Sequence, residues 1–254
     1  MTNKVLIIFL TLFICSASLA EGNNQISQKD PNSMLLVGPG TLITIKPYKG
    51  MNPTIYPVPV IMAVSTPFYF FIDTAGYRMF SDSNMTFDII GKLRLDGYNG
   101  EDSEKLDGMH NRNMTVDVGG EFGISGDWGN LHTRILTDAL GQHDGQEFRV
   151  TYAKPFKFEK SNISPSVGFA LLSSNLADYY YGVRSDEVRP GRPAYDPGAS
   201  VNWFVGLDAN CQLNDNWTLL TSITYYWLDS NIRNSPIVDK DYTISILAGI
   251  MYRF

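Results

Sequence analysis

The chain is poor in cysteine, in histidine and in charge. Its 254 residues include two cysteines, Cys15 and Cys211, which excludes a disulfide scaffold and a cysteine-rich zinc site. Its three histidines, His110, His132 and His143, show no metal-ligand spacing. Charged residues make up 18%, below the roughly 25% of soluble domains, and acids outnumber bases 26 to 20. That balance, without Lys/Arg clusters, argues against nucleic acid as a partner. No stretch after residue 20 approaches the ~18 consecutive apolar residues of a spanning helix. A mean hydropathy of −0.11 excludes a bundle of such helices. Aromatic residues, by contrast, reach 13%. Two classes remain: a soluble β-rich protein or an outer-membrane barrel.

Residues 1–20 read as a secretory signal peptide. Lys4 is the positive region, Val5 to Cys15 the apolar region, and Ser18-Leu19-Ala20 places small residues at a cleavage site. Cys15 falls inside this leader, so one cysteine, Cys211, is expected in the mature chain, where it reads as a small apolar strand residue. Residues 21–254 are then expected to form one outer-membrane β-barrel domain.

The rest of the chain alternates with period two. Val201, Trp203, Val205, Leu207, Ala209, Cys211 and Leu213 are apolar, while Asn202, Phe204, Gly206, Asp208, Asn210 and Gln212, with one large apolar residue among them, lie between. A strand sends these two sets to opposite faces, and a helix would mix them. Thirteen residues is long for a soluble strand but ample for a bilayer, which ~9–11 tilted residues cross. Stripes of the same kind begin at Trp217, end at Trp227, and run from Tyr242 to Phe254. Another spans 114–124, with weaker ones at 34–45, 56–66, 68–80, 84–95, 128–138, 146–154 and 164–173, and a last one at 178–183 unless that stretch lies within the external loop. Counting every segment predicts about twelve antiparallel strands, with ten possible. Pro53, Pro57, Pro59 and Pro67 make the first part the hardest to assign, since proline cannot donate to a ladder. Short breaks such as Asn214-Asp215-Asn216 and Ser125-Gly126-Asp127 suit periplasmic turns. The longer polar stretches 96–112, 184–200 and 229–240 suit external loops.

The alternation assigns faces. Trp203, Trp217, Tyr225, Trp227 and Tyr242 are expected in aromatic girdles facing outer-membrane lipid. Asp88, Lys92, Arg94, Asp117, Glu121, Arg134, Asp138, Glu147, Arg149 and Asp208 are expected in the lumen. Their mixed signs suggest a salt-bridged interior rather than a single-sign filter. Tyr252 and Phe254, on one face of the last strand, match the C-terminal signal that the barrel-assembly machinery reads. Tyr179, Tyr180 and Tyr181 read as girdle residues or a plug at the mouth, and Ser235-Pro236 as a tight turn in an external loop. No Ser stands two residues from a His on one strand face, and no phosphate-cradling Gly motif occurs. No catalytic, cofactor-binding or metal residue is therefore assigned, and an enzyme acting on lipid is the least favoured reading.

An ordered set of motifs resembles the MipA/OmpV family of outer-membrane proteins. It runs through Tyr56-Pro-Val-Pro-Val60, Asp107-Gly-Met109 and Asp144-Gly145. It continues with Tyr179, Tyr180, Tyr181, Gly182 and Val183, then Asn216-Trp217, the stretch from Asn234 through Ser235 and Pro236 to Lys240, and Tyr252-Arg253-Phe254. The resemblance covers nearly all of the mature chain. It implies a barrel in the Gram-negative outer membrane and a scaffold role joining a lytic transglycosylase to a murein synthase. Other members of the family resemble porins or surface antigens, so a narrow porin for small polar solutes is the alternative.

Overall fold

Strong alternation needs partners on both edges, and the chain supplies them by closing on itself. The computed structural model describes residues 33–254; the expected signal peptide lies outside them. The first half contains β1 (Ser33–Ile45), β2 (Thr54–Ser65), β3 (Phe68–Phe71), β4 (Thr74–Ser81), β5 (Met85–Arg94), β6 (Thr115–Gly126) and β7 (Gly129–Asp138). The second contains β8 (Gln146–Ala153), β9 (Phe156–Lys157), β10 (Ser161–Leu172), β11 (Ser200–Gln212), β12 (Trp217–Trp227) and β13 (Tyr242–Arg253). Two helices, α1 (Ser174–Tyr181) and α2 (Ser230–Arg233), lie in the connections. Each long strand pairs antiparallel with its sequence neighbours, and β13 closes on β1. β9 is a two-residue pairing beside β10, so the closed barrel has twelve strands. Closure removes nearly all of the open edges that a bilayer core does not tolerate.

The expected number of strands agrees, but two of the expected segments do not. Residues 68–80 form two strands, β3 and β4, reversed at Ile72-Asp73. The reversal changes which parity points inward, so that Tyr69 and Arg78 both reach Asp88 in the lumen. Residues 178–183 belong largely to α1. Ser173 starts that helix, its hydroxyl accepting from the Leu176 N–H, a favoured N-cap arrangement. The proline-rich stretch 56–66, the segment hardest to assign, is strand β2 as its weak alternation predicts. In β2 the Ile61 carbonyl accepts from the Ile72 N–H across the β3 side. Pro57 and Pro59 share that backbone direction, so their missing donors fall on the side away from β1.

Short turns and long loops segregate to opposite ends. Asx turns tighten two of the short ones: Asp82 Oδ1 accepts from the N–H groups of Asn84 and Met85, and Asn214 Oδ1 from those of Asn216 and Trp217. The connections 46–53, 95–114, 139–145, 173–199 and 228–241 emerge together at the other end. Where strands coil tightly, glycine is required. A Cβ on Gly119 would lie 1.9 Å from the Ile135 carbonyl oxygen, closer than any side chain allows.

Register fixes the two faces. Asp208 lies opposite Ser222 and Ser164, whereas Leu207 lies opposite Ile223 and Pro165. Leu207→Arg is expected to cost about 2–4 kcal/mol, because it puts a charge against mid-depth lipid. Asp208→Leu should cost less. Urea unfolding in lipid vesicles measures both; equal losses would mean the register is off by one residue.

Candidate functional site

The features with chemistry are a cap over the long-loop end and an ion-paired layer beneath it. The cap has its own apolar core. Tyr48, Tyr98, Leu106, Leu176, Tyr180, Ile232 and Ile237 from four connections are almost wholly buried together. At its centre is the last turn of α1, whose carbonyls have no partner within the helix. Side chains from three other connections take them. Arg112 Nε donates to the Tyr179 carbonyl, Tyr48 Oη to that of Tyr180 at 3.2 Å, and Ser235 Oγ to that of Tyr181 at 2.6 Å. The Tyr-Tyr-Tyr-Gly-Val motif thus occupies the hub of the cap, and of its two readings the structure places it at the mouth. Gly182 ends the helix, its N–H bonding to the Asp178 carbonyl. Ser235-Pro236 forms a turn, with the Val238 N–H bonding back to the Ser235 carbonyl.

A buried ion pair latches the cap. Arg112 Nη2 donates to both Glu187 carboxylate oxygens at 2.9 Å, with side chains 1% and 0% exposed. The remaining lone pairs of Glu187 accept from the backbone N–H groups of His110 and Arg184. Burial raises the Glu187 pKa, but these two N–H donors and the guanidinium outweigh it and hold the carboxyl below the usual range. Burial pushes the neighbouring Tyr98 phenol up to about 12. Sequence reading missed this pair, because Arg112 and Glu187 are 75 residues apart in loops without periodicity.

Below the cap a chain of charges crosses the lumen. Arg94 on β5 contacts Asp117 at 2.6 Å and Glu147 at 3.0 Å. Glu147 accepts from Arg149 Nε at 2.9 Å, and Arg149 Nη1 donates to Tyr226 Oη on β12 at 2.8 Å. Strands β5 and β12 stand six places apart in the twelve-strand ring, on opposite sides of the barrel. The Arg149 guanidinium also lies over the Phe204 and Tyr226 rings. Beneath it, Glu121 pairs with Arg134 and His132. A cavity of about 330 Å³ opens there, lined by Glu121, His132, Arg134, Thr151 and Thr224. Asp88 pairs with Arg78, and Lys92 with Asp73. Asp208 faces inward but makes no ion pair among the described residues.

Asp138 sits at the top of β7 and serves the loop after it, accepting from the N–H groups of Leu140, His143 and Asp144. The Gly145 N–H donates to His143 Nδ1, which leaves Nε2 to carry the ring proton toward Asp117 at 3.0 Å. Ligand-type atoms of Asp117, Asp138 and His143 lie within 4.8 Å of one another. Their lone pairs are taken up by Arg94, by the backbone and by each other, so the trio fastens a loop to the wall.

Two bands of rings stand on the outer face. Trp203 pairs across the ladder with Trp227, and Trp227 with Tyr242, while Tyr225 stacks on Tyr242 at 5.4 Å. At the other end Trp217 meets Tyr252 edge-on at 5.2 Å, and Tyr252 meets Phe254 at 5.0 Å. Trp217 and Trp227 are ten steps apart, about 33 Å of strand, or roughly 23 Å of height at a 45° tilt. That matches the ~25 Å apolar band of outer-membrane barrels.

Comparison with known proteins agrees with this architecture. A family described as MltA-interacting protein MipA matches residues 37–254. The MltA-interacting protein of Escherichia coli (strain K12) is 26% identical over 257 residues, covering 100% of both chains. Outer membrane protein OmpV of Vibrio cholerae is 28% identical, and outer membrane protein Omp26La of Vibrio anguillarum 27%, each over 70% of both chains. The relatives are outer-membrane proteins and the twelve-strand barrel is the fold that membrane requires. The chain belongs to the MltA-interacting protein family, as an outer-membrane β-barrel.

Proposed function

We propose that this protein is a closed outer-membrane platform that holds a murein-remodelling enzyme at its periplasmic end. The observation that carries this reading is the double closure: a cap knit around α1 lies over a charge chain running from Arg94 to Tyr226. Such a barrel presents the membrane with a rigid body and leaves its short turns facing the periplasm. The name of the full-length Escherichia coli relative supports a murein enzyme as the class of partner.

A second reading, a narrow pore for small polar solutes, is favoured by the polar cavity under Arg149. Conductance of the refolded chain in a planar bilayer separates the two. The platform reading expects a silent bilayer at low voltage and retention of a purified periplasmic lytic transglycosylase on the immobilised barrel. Discrete, reproducible steps would replace it with the pore. A silent barrel that retains no murein enzyme would remove the proposed partner.

A further inference from the structure

The barrel wall has a window. β2 is twelve residues long, but β3 beside it has four, and their pairing ends at Met62↔Phe71. Above the Ile72–Ile61 hydrogen bond, the seven residues Thr54–Val60 pair, among the described residues, with β1 alone. That leaves about 20 Å of strand without a neighbour on one side. On the far side, pairing of the β3–β4 hairpin with β5 stops at Thr74↔Lys92 and the Leu93–Asp73 hydrogen bond. The cap closes the frame above, where Lys46 Nζ donates to the Gly97 carbonyl and the Tyr48 and Tyr98 rings lie 4.5 Å apart. The hairpin tip at Ile72-Asp73 is the sill.

The edge is chemically finished rather than merely unpaired. Its gap-facing positions are Ile55, Pro57 and Pro59, so two of three N–H donors that would face hydrocarbon do not exist. An unpartnered donor in lipid costs several kcal/mol, and an edge left with the single Ile55 donor is a poor template for another strand. Behind the window the inner wall is apolar, unlike the ion-paired wall opposite. Leu42, Val58, Val60, Met62, Leu220 and Leu247 point inward from β1, β2, β12 and β13. Tyr56 points inward by register yet is 41% exposed, as a residue on the rim of an opening should be. Outside lie Ile55, 64% exposed, and the two prolines, a surface that acyl chains cover.

From these observations we propose that the window admits one acyl chain of a membrane lipid, which lies against the apolar inner wall at the half-buried Leu42 and Val58. This goes beyond the platform reading and does not depend on it. The test uses the mature chain refolded into phosphatidylcholine vesicles carrying a diazirine near the end of one acyl chain. After irradiation, residue-level mass spectrometry is expected to find adducts on inward Leu42 and Val58 as well as on outward Ile43 and Ile61. Adducts on outward residues alone would overturn the proposal. Leu42→Trp, which fills the groove, should lower inward adducts about tenfold and leave outward ones unchanged. Tyr56→Trp at the rim serves the same purpose if the first variant misfolds, as judged by heat-modifiable migration. Inward labelling that neither variant lowers would overturn the site. A small charged diazirine that stays in the aqueous phase, added to unlabelled vesicles, should label the inner wall weakly. Labelling as strong as by the lipid would overturn entry from the bilayer. A silent bilayer and a captured murein enzyme are compatible with every one of these outcomes, so the two proposals fail separately.

Discussion

Replacing Glu187 with alanine is expected to unlatch the cap while the barrel stays folded. The change leaves Arg112 buried without its carboxylate, an arrangement that costs about 3–5 kcal/mol. It also strips acceptors from the N–H groups of His110 and Arg184. The affected segments, 95–114 and 173–199, join the barrel only at their ends, so the loss is local. Protease cleavage within them should rise roughly a hundredfold or more, while heat-modifiable migration of the barrel is retained. Acid should act on the same latch. The Glu187 carboxyl titrates below its unfolded value of about 4.3, so its contribution is complete above that pH and disappears as pH falls through the lower folded value. Cap cleavage in the native chain should therefore rise below about pH 4, and Glu187→Gln should blunt that rise. Replacing both partners, with Arg112→Met and Glu187→Leu, should recover much of the loss, since an apolar pair has no charge to strand. A cap as resistant in Glu187→Ala as in the native chain would mean that the aromatic core, not the ion pair, holds it shut.

The strands were legible in the sequence because a bilayer imposes one rule on each of them. Trp217, Leu219, Ile223, Tyr225 and Trp227 must face lipid, and nothing about distant residues alters that. The lumen residues were legible by the same rule, read from the other face. The rule lapses where the chain leaves the membrane or turns early. Residues 68–80 carry enough aromatic side chains to look continuous, and only the positive φ of Ile72 marks the reversal there. α1 carries three tyrosines in a row, which fit a strand as well as a helix; its N-cap at Ser173 was the available signal. The cap itself had no local signature, since Arg112, Tyr48 and Ser235 meet α1 through three separate connections. Pro57 and Pro59 made 56–66 the hardest strand to assign. With the register known, they leave Ile55 as the one gap-facing donor where β2 runs past the end of its ladder.

Glu147→Ala should be the most damaging single change within the wall, because two guanidiniums converge on that carboxylate. They are not stranded equally. Arg94 keeps Asp117 and Asp96, whereas Arg149 keeps only the Tyr226 hydroxyl and two aromatic faces. The expected cost is about 3–5 kcal/mol in urea unfolding from vesicles, most of it from an uncompensated Arg149. Arg149→Met added to Glu147→Ala should then restore stability, and Arg94→Met should not, because it would free Asp117 in turn. Equal rescue by both would mean that the network is too wet for pairing to matter. The same variants bear on closure. Removing Glu147 cuts the only link between the β5 side and Arg149 in the charge chain described above. If the folded Glu147→Ala barrel still passes no current, the cap alone suffices to seal the lumen and the platform reading stands. If it conducts in steps while the native chain is silent, the charge chain is the seal, and the cavity beneath Arg149 is the vestibule of a gated path.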